Sequence, residues 1–64
     1  MTDEQAHLIA NLAIAARHAQ LALEAEEGNW QPGHLDRLRT AYMVRDRKRD
    51  EFYQAVKDYE ARAA

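Results

Sequence analysis

The sequence predicts an all-α fold, an antiparallel hairpin of two long helices that dimerises into a four-helix bundle. Three observations carry this expectation. Both glycines and the only proline fall in one short segment, Gly28-Asn29-Trp30-Gln31-Pro32-Gly33, which divides the 64 residues into two halves of similar length. Each half repeats apolar residues alternately three and four apart, the spacing of a helical seam. There is no cysteine, and no run of ligands suggests a structural metal. Two helices meeting along one seam bury little apolar area, so self-association is the staple that remains.

The first helix is expected over residues 3–27. Thr2 and Gln5 have the spacing of a capping box, and Asp3 and Glu4 suit the positive end of the helix dipole. Its seam reads Ile9, Leu12, Ala16, Ala19, Leu23 and Glu26. The turn is expected over 28–31, with a glycine in the left-handed conformation ending the helix. Gln31 as N-cap makes Pro32 the first residue of helix 2, and puts Trp30 and Leu35 at the positions of a hydrophobic staple. Helix 2 then runs over 32–62, with Asp36 and Arg62 each favourably placed against the dipole. Its seam reads Leu35, Leu38, Tyr42, Arg45, Arg49, Phe52, Val56, Tyr59 and Ala63. The whole chain is one hairpin domain.

A turn centred between Trp30 and Gln31 sets facing pairs: Ile9 with Phe52, Leu12 with Arg49, Ala16 with Arg45, Ala19 with Tyr42, Leu23 with Leu38, Glu26 with Leu35. In this register the small Ala16 and Ala19 oppose the bulky Arg45 and Tyr42, which is how a core interdigitates.

Arg45 and Arg49 occupy places where a coiled coil prefers leucine, and an unpaired guanidinium there would cost several kcal/mol, roughly. Two arrangements answer this. Their stems cover the alanines while their heads reach the edge and pair with acids such as Asp46 or Asp50. Alternatively they form a polar layer that fixes partner choice or contacts an acidic partner. The run around them, residues 45–51, alternates in sign, which suits a self-paired, solvated face.

Helix 1 carries a second stripe, His7, Asn11, Ile14, His18, Leu21 and Ala25, again at three-four spacing. A helix apolar on two sides wants two neighbours, so Ile14, His18 and Leu21 are candidates for a dimer or partner interface. Tyr53 lies toward the edge of helix 2 and Trp30 lies in the turn; both join that candidate set, Trp30 most of all if exposed. His7 and His18 stand ~16 Å apart along one helix and cannot share an ion within a chain.

These residues exclude several functions. Two threonines are the whole hydroxyl and thiol nucleophile inventory besides tyrosine, and there is no phosphate-cradling loop or metalloprotease helix. No enzyme activity, cofactor, metal or small-molecule substrate is expected. The acidic, polar start lacks the pattern of a secretory signal, and no apolar run approaches the ~20 residues of a membrane span. The chain therefore reads as cytoplasmic, in a bacterium or in a virus-infected host, without a membrane partner.

The net charge is −2. Residues 1–30 carry five acids and one base, for −4, whereas residues 31–64 carry six acids and eight bases, for +2. That asymmetry favours helix 1 lying against helix 2 and gives no long-range field for nucleic acid. In length and hairpin plan the chain resembles the Rop-type plasmid regulators, dimeric four-helix bundles that grip paired RNA loops. The resemblance covers layout alone, with no residue motif to carry across. It implies an RNA-binding alternative that needs Arg37, Arg45, Arg47, Lys48 and Arg49 on one exposed face. The leading expectation is a homodimeric interaction module acting as regulator, adaptor or phage-type inhibitor of a larger protein. A third class is structural assembly of a larger particle.

Overall fold

Thr2 precedes the first helix in extended backbone (φ −77°, ψ 159°). Its hydroxyl accepts from the Gln5 N–H at 3.1 Å, and its own N–H donates to Gln5 Oε1 at 3.2 Å. This reciprocal capping box satisfies two donors that the first turn leaves without helical partners. The computed structural model describes residues 2–63, with α1 over Asp3–Glu27 and α2 over His34–Ala63. The two helices pack against each other along their length as an antiparallel hairpin. Among the described residues, no helix is long and apolar enough to cross a membrane.

The link between the helices differs from the sequence expectation. Gly28 ends α1 in the right-handed region (φ −92°), and the left-handed glycine is Gly33 (φ 82°). Gln31 is not the N-cap. Its carbonyl accepts from the His34 N–H at 3.0 Å, closing a four-residue turn with Pro32 second and left-handed Gly33 third. Proline followed by glycine at those two places is the preference of a type II turn, and it competes successfully with proline's fitness for a first helical position. The carbonyl of Gly33 accepts the first helical bond, from the Arg37 N–H at 3.0 Å. Helix 2 therefore starts two residues later than Gln31 as N-cap would require.

That later start comes with a rotation of α2 about its axis. On α1, Ala19 and Leu23 are buried, and Ile9, Leu12, Ala16 and Glu26 are half-buried. On α2, Leu38, Arg45, Phe52 and Tyr59 are half-buried, as is Val56. The remaining seam assignments are corrected: Leu35, Tyr42 and Arg49 are exposed. The residues just before them turn inward instead, His34 buried and Ala41 and Lys48 half-buried, followed by Ala55. A helix offers one stripe to one neighbour, so seating His34 under the turn moves Leu35 out. The small side chains of Ala41 and Ala55 let the stripe continue along the rest of α2. The side-chain placement of Ala63, the last seam position expected, lies outside the described residues.

The register moves accordingly. Glu26 meets Arg37, with Nε to Oε2 at 2.9 Å, rather than Leu35. Arg45 reaches Gln20 at 3.4 Å, and the Tyr42 hydroxyl donates to Glu27 at 3.4 Å. The hairpin measures 49 × 16 × 12 Å with a radius of gyration of 14.8 Å, against roughly 11 Å for a compact domain of this length.

Candidate interaction surfaces

The turn end is held by side chains. Nδ1 of His34 lies 2.6 Å from the Asn29 carbonyl oxygen, a distance at which the ring N–H donates to that oxygen. The Trp30 ring covers the imidazole, with centroids 4.4 Å apart and planes inclined at 33°. Arg37 reaches back with three contacts: Nε donates to Glu26, one terminal nitrogen to the Pro32 carbonyl at 2.6 Å, and the other to Gln31 at 3.4 Å. One guanidinium thus ties the end of α1 to the turn and to its own helix, answering carbonyls that a loop would otherwise leave to water.

Trp30 and Leu35 do not staple the helix start. Trp30 is 79% exposed and Leu35 76% exposed, flanking His34 at the tip of the hairpin. The sequence reading missed His34 and Arg37 as organisers of this end. The signal that could have found them is the Pro-Gly pair, which as the centre of a turn puts His34 at the helix start and Arg37 within reach of Glu26.

Further along α2, the charged run is knotted into itself. Arg45 Nε donates to Asp46 at 2.8 Å while its guanidinium lies 5.2 Å from the Tyr42 ring centroid. Arg49 reaches the same Asp46 at 3.4 Å. Arg47 and Lys48 both approach Glu51, at 3.8 and 3.7 Å. Each cation of the run has an acid beside it, and Arg37 has Glu26. These surface pairs add little stability, but they lower the charge that each cation presents outward.

The stripe of α1 that faces away from α2 stands open. His7, Asn11, Ile14, His18, Leu21 and Ala25 are all exposed, as is Tyr53 on α2, whose ring centroid lies 5.8 Å from that of Phe52. Ile14, His18 and Leu21 therefore share a face that excludes Trp30 and Tyr53, which belong to the tip and to an edge of α2.

One side of the hairpin carries two shallow concavities end to end. The first, about 400 Å³, is walled by Leu8, Leu12 and Ala55, with Glu51, Asp58 and Arg62 at its rim. The second, about 420 Å³, is walled by Ala19, Ala22, Ala41 and Val44 and closed by Glu26 and Arg37. Both are mostly apolar and shallow, a shape that suits a packed side chain better than an enclosed substrate. Comparison of the chain with protein-family models, with characterised proteins and with solved structures returns no match, so its own surfaces carry the functional reading.

Proposed function

We propose that this chain is a non-enzymatic protein–protein interaction module. In this reading it is a homodimer of helical hairpins, assembled as a four-helix bundle, that docks onto a larger protein in the cytoplasm as a regulator, adaptor or phage-type inhibitor. One observation carries the proposal. Eight large apolar side chains are exposed, Leu8, Ile14, Leu21, Trp30, Leu35, Tyr42, Met43 and Tyr53, while two apolar side chains, Ala19 and Leu23, are buried among the described residues. Exposed apolar area on that scale marks surfaces that other helices cover. Ile14 and Leu21 on the outer stripe, and Trp30 with Leu35 at the tip, are the anchors offered to the larger protein, aromatic and branched residues of the kind that dominate interfaces.

Sedimentation equilibrium over a range of protein and salt concentrations tests the reading. A dimer insensitive to salt is the expected result, and a folded monomer at all concentrations would overturn the homodimer. Growth beyond a dimer would favour structural assembly. The pairing of Arg37, Arg45, Arg47, Lys48 and Arg49 with neighbouring acids supports a protein partner over RNA. An RNA-binding module would show affinity for paired RNA that falls steeply with salt.

A further inference from the structure

We infer that a second copy of this chain packs antiparallel on the grooved side of the hairpin, about a two-fold axis at the level of Ala15 and Lys48. The inference rests on the homodimer reading and specifies its face. The level comes from the ion pair at the turn: eleven residues back from Glu26 is Ala15, and eleven on from Arg37 is Lys48. Leu12 and Glu51 lie at matching offsets from the same pair and both line one concavity.

Area is the first argument for a second copy. The chain exposes 4984 Å², whereas a compact protein of this mass would expose roughly 4,200 Å². The excess, roughly 800 Å², is what one partner contributes to a standard interface.

Complementarity is the second argument, and it selects the face. Along the grooved side of α1, Leu8, Leu12, Ala15, Ala19 and Ala22 follow three-four spacing. A two-fold at Ala15 lays Leu8 against Ala22 of the second copy and Leu12 within one residue of the level of its Ala19, large against small on either side of the axis. The same axis lays one copy's leucine-walled concavity over the other's alanine-walled one, so each receives the other's leucines. On α2 it lays Ala41 against Ala55 and brings Arg37 to the level of Asp58, opposite charges facing. At the axis itself, two Lys48 and two Glu51 alternate in a neutral polar layer, already paired within each chain at 3.7 Å. Such a layer penalises any shifted or parallel pairing. The outer stripe of α1 has no such symmetry: a two-fold near its centre sets Ile14 against His18 and leaves Asn11 and His7 facing apolar neighbours.

The absence of cysteine makes trapping direct. Ala15→Cys lies on the proposed axis, whereas Ile14→Cys projects about 100° away around the same helix, on the stripe that faces away from α2. Under mild oxidation, at concentrations where the protein sediments as a dimer, A15C is expected to form a covalent dimer at least tenfold faster than I14C. Ala22→Asp is expected to raise the dimer dissociation constant at least tenfold with helicity retained, and Ile14→Asp to leave it unchanged. If the wild-type protein is a dimer but I14C cross-links and A15C does not, the face is wrong and the dimer stands. A wild-type monomer overturns both readings. If A22D loses its helicity, the cysteine pair decides alone.

Discussion

The two ends of the hairpin are built to different standards. In the half next to the turn, Ala19, Leu23 and His34 are buried, and Arg37 binds Glu26 and two turn carbonyls. In the half that holds the chain ends, Ile9, Leu12, Phe52, Val56 and Tyr59 are half-buried and no described side chain is buried. The same helices run through both halves, so helix propensity does not explain the contrast. The turn brings chain segments together at little entropic cost, and side chains of the right reach exploit that proximity. Beyond it, each helix has one neighbour and the seam stays partly open to water. The turn end buries its contacts, and the far end leaves its seam half open to solvent.

The contrast can be broken most forcefully at Leu23, which is 1% exposed. Leu23→Ala is expected to cost about 3 kcal/mol through lost transfer energy and the void left behind. Urea unfolding followed by circular dichroism measures it, and a cost equal to that of Leu12→Ala would erase the difference between the halves. Gly33→Ala comes next, at about 1.5 kcal/mol, because a β-carbon is strained at φ 82° and would sit 3.1 Å from the Arg37 guanidinium. A thermal melt no lower than that of Gly28→Ala would show that the left-handed residue is dispensable.

Smaller effects sharpen the comparison. Arg37→Met removes the tie between α1, the turn and α2, and is expected to cost about 1 kcal/mol, moderated because the side chain is 37% exposed. Amide exchange should then speed up around His34 while Phe52 and Tyr59 are unaffected; uniform acceleration would mean that the ends are not separate. Trp30→Ala is expected to change stability by about 0.5 kcal/mol or less, since the ring covers His34 from an exposed position. Its value is in binding: a larger protein that docks at the tip should lose affinity by tenfold or more, and unchanged affinity would move the contact to the Ile14 stripe. In the wild-type protein, exchange should slow in both halves as concentration rises through the dimer equilibrium, because the antiparallel pairing lays each turn half on the partner's far half; protection confined to one half would contradict that pairing.

Much of the hairpin is visible in residue order. Thr2 and Gln5 announce the start of α1, and the segment 28–33 announces a break. The α1 seam residues are all buried or half-buried, though Gln5, Ala6, Ala13, Ala15 and Gln20 beside them are half-buried too. What misled the reading of α2 was one dipeptide with two competing uses. Proline can begin a helix or occupy the second place of a turn, and the glycine after it decided for the turn. That two-residue delay and the accompanying rotation exchanged Leu35, Tyr42 and Arg49 for His34, Ala41 and Lys48. Hydropathy alone would not select the second set, because leucine and tyrosine outrank histidine and lysine on any apolar scale. Lone tryptophan and leucine beside a turn read equally well as a staple or as an exposed knob, and only their surroundings distinguish the two.

The sequence by itself determined that this chain makes two helices, where the break between them falls, and which face of α1 turns inward, since these follow from local capping, turn chemistry and periodicity. Tertiary structure decided which face α2 presents and at what level the helices meet. Those depend on whether one imidazole fits beneath a turn and one guanidinium reaches across it, interactions between residues distant in sequence whose geometry no periodic pattern encodes.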